Sequence, residues 1–389
     1  MKKKVMALVV AGALAAPAAA FAQASNVQIY GRANLGLDNY SATGSTAGAA
    51  ADLKSRTRIF DSGSRLGFRG SENLGSGLSA VFQIESGVNV DAGNNLGQAG
   101  LVNGSSGFLA SRDSYVGLQG GWGRVSFGRQ TIWNTNGVVA QSGSNYVNTE
   151  IPWTLAATFG RVAGPTGRTS NVVAYNSPTF SGFNATLSYA PNSEAAVAGA
   201  NTDAKIWGAT LRYGGVVNLL WDYASNQAAS GGANRLKLSG NKLGVGWPYA
   251  PGAQVSVIWA QLKNEGVAGA AGFSALNDNI KQAAWTLNWE HVFGNVQALA
   301  MYGKLNRASG CTALNGTANG CDNTDAKAYM LGLKYLMSKR TGMYVTYNRV
   351  SNSANQIADY SANASYGAAA AIGAGADPRV WAIGMMHNF

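Results

Sequence analysis

Charge is scarce in this sequence. Only 12% of its 389 residues are Asp, Glu, Lys or Arg, about half the usual share for a soluble globular chain. Histidine is rarer still. His291 and His387 are the two, neither stands in a recognisable motif, and neither lies near Cys311 or Cys321. A cysteine–histidine metal site or a Ser/His/Asp arrangement therefore has almost nothing to be built from. Proline numbers 8 against 51 glycines, which excludes a collagen-like or Pro-rich disordered chain. Phosphate loops, metal-ligand clusters and nucleic-acid motifs are missing too, so no cofactor, metal or nucleic-acid partner is expected. After Ala22 no apolar run approaches the ~20 residues that a membrane-spanning helix needs.

What is present begins with a leader. Lys2, Lys3 and Lys4 precede an apolar run from Val5 to about Ala16, and Ala20-Phe21-Ala22 then offers small residues around a cleavage position. Pro17 and this Ala-X-Ala ending fit a cleaved secretory signal peptide over residues 1–22 better than a retained anchor. The mature chain, 23–389, carries 26 basic residues against 18 acidic ones. In an exported protein Cys311 and Cys321, within a Gly/Asn/Thr-rich stretch, are expected to close a disulfide.

The hydrophobic residues, 46% of the chain, are arranged with period two. Phe183, Ala185, Leu187 and Tyr189 alternate with Asn184, Thr186 and Ser188. Leu219, Trp221 and Tyr223 flank Asp222; Trp285, Leu287 and Trp289 flank Thr286 and Asn288. Tyr329, Leu331, Leu333 and Tyr335 share a face, as do Met343, Val345 and Tyr347. The apolar faces of these segments bear no charge, as lipid demands, since a Lys or Arg there costs roughly 2–4 kcal/mol at mid-bilayer. A soluble β-sandwich alternates as well. Two features argue against it: Trp and Tyr cluster near segment ends, and short connections alternate with long ones. Short ones are Glu72–Gly77, Gly120–Gly123, Gly214–Gly215, Phe293–Asn295 and Ser338–Gly342. Long ones include Tyr40–Ser55, Gly87–Ser111, Thr131–Ser170, Gly266–Ile280, Arg307–Ala326 and Ser351–Pro378.

Sixteen strands are expected, starting near residues 27, 62, 77, 112, 123, 171, 182, 203, 216, 235, 254, 281, 295, 327, 341 and 379. A membrane protein without spanning helices must close its sheet, because unpaired edges cannot face lipid. The predicted fold is all-β: a sixteen-stranded antiparallel transmembrane β-barrel using the whole mature chain as one domain.

Several ordered motifs add a resemblance. Ile29-Tyr30-Gly31-Arg32, Ser64-Arg65-Leu66-Gly67-Phe68-Arg69-Gly70, Ser111-Arg112 to Gly117-Leu118, and Gly123 to Gly128-Arg129-Gln130 follow one another. A last alternating strand, Val380 to Phe389, ends on an aromatic. In these the chain resembles the general diffusion porins of Gram-negative bacteria over essentially all of residues 23–389. The resemblance implies an outer-membrane homotrimer in contact with outer-membrane lipid and lipopolysaccharide. It implies passive passage of small hydrophilic solutes and ions. It also implies a third loop, here Thr131 to Ser170, folded inward to narrow the pore.

Carried over by motif, the constriction's basic arc is Arg32, Arg65, Arg69, Arg112 and Arg161, with Arg129 a further candidate. Parity supports Arg65 and Arg69, which lie opposite Leu66 and Phe68, and Arg32, which lies opposite Ile29 and Leu35. Glu150 is the single acid of the inward loop, where the family's pattern has several. Five arginines against one acid predict a weak preference for anions. Phe389, on the face of Trp381, Ile383, Met385 and His387, looks like the outer-membrane assembly signal of this class. An enzymatic barrel would need a catalytic constellation that the two histidines do not provide; an adhesive or structural barrel is the alternative reading.

Overall fold

The computed structural model describes residues 26–61, 63–88, 90–91, 109–133, 162, 164–165, 167–192, 204–229, 235–265, 279–311, 320–359 and 372–389. Its strands are β1 (Asn26–Thr43), β2 (Leu53–Asp61), β3 (Arg65–Gly75), β4 (Leu78–Gly87), β5 (Ser114–Gly120), β6 (Gly123–Thr131), β7 (Arg168–Asn176) and β8 (Phe183–Asn192). There follow β9 (Ala204–Gly214), β10 (Asn218–Ala229), β11 (Arg235–Ala250), β12 (Ala253–Glu265), β13 (Ile280–Phe293), β14 (Val296–Leu305), β15 (Ala326–Leu336), β16 (Thr341–Asn352) and β17 (Asp377–Asn388).

Successive strands pair antiparallel, and β1 closes the sheet against β17 over Arg32–Thr43. The first half of β1, from Asn26 to Arg32, pairs with β3, and the half from Leu35 to Ala42 pairs with β2. β2 and β3 thus lie end to end in one place of the wall. The seventeen segments form a closed barrel of sixteen places, the fold expected from the periodicity. At the break, Asp61 Oδ1 accepts the Ser64 N–H and Ser64 Oγ accepts the Asn34 N–H, so polar side chains replace the interrupted ladder.

One boundary differs from expectation. The second strand begins at Leu53 rather than near 62, and the first loop shrinks to residues 44–52. The outward face there is polar at Ser55 and Thr57, between Leu53 and Ile59. Thr57 Oγ1 accepts from Asn39 Nδ2, and Ser55 Oγ donates to Asn39 Oδ1. With polar residues from Lys54 to Arg58 and the apolar Ile59 and Phe60 consecutive, the strand leaves little period-two signal.

Elsewhere the alternation translates directly into inside and outside. Leu331 and Leu333 stand 59% and 51% exposed on the outward face, whereas Lys334 between Leu333 and Tyr335 is 8% exposed and points inward. Leu287, Val345, Trp381 and Ile383 likewise face out, while Thr286, Asn288, Thr346 and Asn348 are buried within. The short turns, residues 76–77, 121–122, 251–252 and 294–295 among them, share one rim with Asn26 and Phe389; the long connections share the other.

The last residue completes the closure. Phe389 donates its N–H to Gly31 O at 3.1 Å and accepts from Gly31 N at 3.0 Å. A Cβ at position 31 would overlap the Phe389 ring, so the missing side chain of Gly31 is what seats the terminal aromatic. Gly31→Leu is expected to expel the ring and destabilise closure by about 1–3 kcal/mol, the usual range for overpacking. The measurement is the folded fraction after refolding, read from the heat-dependent electrophoretic shift. An unchanged fraction would show that the ring does not need this seat.

Cys311 and Cys321, ten residues apart, are disulfide-bonded at the stem of the seventh long loop. Closing a ten-residue loop stabilises by about 3 kcal/mol in the chain-entropy model. Arg307 Nε and Thr324 Oγ1 both donate to Cys321 O, fastening the bridge between the ends of β14 and β15.

Candidate functional site

The inward faces of β1, β3 and β4 meet in a charged cluster. Period two places Tyr30 and Arg32 of β1, Arg65 and Arg69 of β3, and Gln83 and Glu85 of β4 inside. Arg32 and Arg65 are direct cross-strand partners. Like charges opposite one another are normally unfavourable, so this pairing marks a wall arranged for its field rather than its stability.

Glu85 organises the cluster. Its Oε1 accepts from Arg112 Nε at 2.5 Å and its Oε2 from Tyr30 Oη at 3.0 Å. Arg112 also donates its backbone N–H to Glu85 O at 2.9 Å, while Ser114 Oγ accepts the Glu85 N–H. The guanidinium just ahead of β5 is thereby clipped to β4. Tyr30 reaches Glu85 over Gly67, where a Cβ would overlap the tyrosine ring. Arg32, Arg65 and Arg112 lie close enough to act on one another electrostatically, with Arg168 within range of Arg65 and Lys334 within range of Arg32. Arg69 sits nearer the short-turn rim, 4.9 Å over the Tyr30 ring and hydrogen-bonded to Gln28 Oε1 at 2.9 Å.

Four of the arginines predicted for the arc are therefore described, and Arg32, Arg65 and Arg112 come together. Arg161 and Glu150 lie outside the described residues, as do residues 134–160 of the third long connection. Arg129 keeps the parity of the outward Val125 and Phe127, and donates to Ser111 O and Ser170 Oγ. Arg168 forms an ion pair with Asp113 at 2.7 Å, and Asp113 also accepts from Thr131 Oγ1. Sequence reasoning counted acids on the loop and missed Glu85 on the wall. Its signal was present: Glu85 lies opposite the outward Phe82 and Ile84 and follows Arg65 across one hairpin.

The start of the third connection has a defined place. Ile132 and Trp133 leave β6 and both donate N–H to Gly167 O. Their side chains reach the inner faces of β9 and β11. A Cβ at Gly208 would stand 2.5 Å from Ile132, and one at Gly240 would stand 2.7 Å from the Trp133 ring. Beside Gly240, Lys242 Nζ lies 4.3 Å from the Trp133 ring and donates to Asp222 Oδ2 at 2.8 Å. Thr210 Oγ1 donates to Asp222 Oδ1 at 2.9 Å. The interior thus carries an arginine cluster around β1–β5 and, on β10–β11, a Lys–Asp pair whose charges offset each other. Such an interior can attract and pass ions.

Comparison with known proteins gives these features a context. Residues 7–355 match the family described as Gram-negative porin. The chain is 30% identical over 363 residues to a major outer membrane protein P.IB of Neisseria gonorrhoeae, covering 89% of this chain and 92% of that one. A protein of the same name from Neisseria lactamica is 28% identical over 352 residues, with the same coverage. Among solved structures, an anion-selective porin from Comamonas acidovorans superposes with a TM-score of 0.70 at 23% identity, covering 94% of this chain and all of the other. Salmonella typhi OmpF, solved with daunomycin, gives 0.60 at 16% identity, covering 94% and 98%. The two structural likenesses are of fold.

Proposed function

This chain belongs to the Gram-negative porin family, and from that premise we propose that its arginine-lined barrel is a homotrimeric diffusion channel with a weak preference for anions. It is an outer-membrane porin channel; the oligomeric state and the selectivity are the proposal. The single observation behind the selectivity is the excess of cations at the β1–β5 wall. Arg32, Arg65 and Arg112 share one field, and Glu85 neutralises one of them. A narrow aqueous neck focuses such a field and raises the local anion concentration. The Comamonas acidovorans porin of like fold is anion-selective, which is in keeping with this reading. Glu150 and Arg161 are proposed to face the arc from an inward third loop. No enzymatic step is proposed.

A distribution of aromatic residues supports the trimer. Among the described residues the outward faces of β1–β6 bear no Trp or Tyr, whereas later strands carry Tyr175, Trp207, Trp221, Trp247, Trp285 and Tyr302. Trp and Tyr gather where a protein meets the membrane–water interface. A stretch of wall whose only exposed Trp or Tyr among the described residues is Trp122, in the turn between β5 and β6, is suited to burial against further copies of the chain. Residues 1–22 are proposed to be removed on export, Phe389 to act in outer-membrane assembly, and lipopolysaccharide to be among the surrounding lipids.

The test is insertion of purified protein into a planar bilayer across a potassium chloride gradient. Conductance arriving in groups of three equal units, with a zero-current potential of anion sign, is the expected result. Unboiled protein should migrate as a trimer in SDS. A cation-signed potential would defeat the selectivity, and a monomer band without boiling would defeat the trimer.

A further inference from the structure

The two stems of the eighth long connection lie inside the outer end of the barrel. Residues 353–359 leave β16 and reach β1, two strands along the wall, where the inward Tyr40 donates its hydroxyl to Asp359 Oδ2 at 3.0 Å. They therefore pass over the inner face of β17, which stands between the two. Residues 372–376 return beside them: Gly375 donates its N–H to Gln356 O at 2.8 Å. Ala374 O accepts the Thr46 N–H of the first connection at 2.8 Å. The inward side chains Ala42, Ala328, Val350 and Val380 are buried in this part of the wall, as are Ala358 and Ala376 of the stems. Apolar side chains gain by leaving water, and here they form the seat on which the stems pack. We propose that these stems form a strap that narrows the pore at its outer mouth, with Gln356 and Asn352 as the positioning residues that hold it down. The proposal rests on the channel reading of the barrel.

Side-chain amides, rather than a strand ladder, fasten the strap. Gln356 is fully buried; its Nε2 donates to Thr324 O, and its Oε1 accepts the Ile357 N–H at 2.8 Å. Thr324 O also accepts from Gln282 Nε2 of β13 at 2.8 Å, so a single carbonyl ties the strap to the wall. Asn352, the last residue of β16, reaches both stems. Its Nδ2 donates to Ala358 O at 2.8 Å and to Ala376 O at 2.6 Å, while its Oδ1 accepts the Ala358 N–H at 3.0 Å. Asn355 binds the seventh connection, its N–H donating to Asn323 O at 2.9 Å and its Nδ2 to Asp322 O at 2.8 Å. Backbone carbonyls taken out of water need donors, and these amides supply them. The anchor is itself held. Thr324 Oγ1 donates to Cys321 O at 2.7 Å and accepts the Ala308 N–H at 2.9 Å, next to the Cys311–Cys321 bridge. The first, seventh and eighth connections thus meet in one fastened block over the inner wall.

The experiment records single-channel conductance of the folded, full-length protein in a planar bilayer, with polyethylene glycols of graded size added to one side at a time. A polymer that enters the pore lowers the conductance, so each mouth yields its own exclusion size. Gln356→Met with Asn352→Leu keeps the bulk of both side chains and removes their amides. This variant should admit larger polymers from the long-connection side and keep the wild-type exclusion size from the short-turn side. Gln356→Met alone should shift the outer exclusion size in the same direction by a smaller step, and serves if the double variant folds poorly. A mere loss of stability would lower the yield of channels without shifting one mouth against the other. An outer exclusion size unchanged in these variants would overturn the proposal. So would an equal shift from both sides, which would place the effect at the neck. A wild type that does not conduct counts against the channel reading instead.

Discussion

Lys242→Met should cost this barrel about 3–5 kcal/mol, the penalty for stripping a buried ion pair of one partner. Lys242 and Asp222 are both fully buried, 2.8 Å apart, on adjacent strands of the interior wall. Removing the ammonium takes from the Asp222 carboxylate the cation hydrogen-bonded to it and withdraws the charge under the Trp133 ring. Replacing both residues, Lys242→Met with Asp222→Leu, should recover most of the loss, because a well-packed apolar pair often substitutes for a buried ionic one at little cost. Guanidinium unfolding of the detergent-solubilised protein, followed by far-ultraviolet circular dichroism, measures both variants. If the single variant loses less than about 1 kcal/mol, the range of exposed pairs, lumen water is solvating Asp222. The seat of Trp133 on Gly240 would then be held by packing alone.

The second large effect is on selectivity. Arg65→Gln with Arg112→Gln should move the zero-current potential toward cations. At about 8 Å in water one charge is worth about 0.5 kcal/mol unscreened, and about 0.2 kcal/mol after one Debye length at physiological salt. Acting in opposite senses on an anion and a cation, that is about a twofold change in their ratio per arginine, or about fourfold for the pair. Arg112→Gln has a second consequence, since it releases Glu85 from its 2.5 Å partner and leaves a carboxylate on the wall. Glu85→Gln should act in the opposite direction and strengthen anion preference. Because arginine stays protonated at any working pH, the arginine contribution should persist across the neutral range. It should fade as salt rises. A double variant with an unchanged potential would show that the arc does not sit at the narrowest point of the path.

The spread between what could be read from residues and what could not follows the physics of strands. Inside and outside were legible at almost every strand, because Cβ atoms alternate as a local property of extended backbone. Lys334 against Leu333 is an example: parity alone assigned one to the lumen and the other to lipid. Parity was silent in β2, where Lys54 to Arg58 are all polar and the apolar Ile59 and Phe60 follow one another, and its nine residues went unseen for that reason. The arginines were legible as a set, since Arg32, Arg65 and Arg112 sit in recognisable motifs. Their balance was not. Glu85 enters the account only when the β3–β4 register brings it beside Arg65 and the chain ahead of β5 hands it Arg112.

By itself, then, the sequence determined a closed barrel of sixteen strands and the side of the wall for charges that sit in clearly alternating segments, such as Arg32, Arg65, Arg69 and Lys334. These follow from periodicity, loop length and the cost of charge in lipid, all of which act within one segment at a time. Only the tertiary structure decided which charges meet. Asp222 finds Lys242 through the β10–β11 register, Trp133 finds Gly240 across the interior, and Lys304 stands opposite Lys327 on the outer rim. Those meetings depend on how far each strand slides along its neighbour. A slide of two residues preserves every inside–outside assignment while changing every partner.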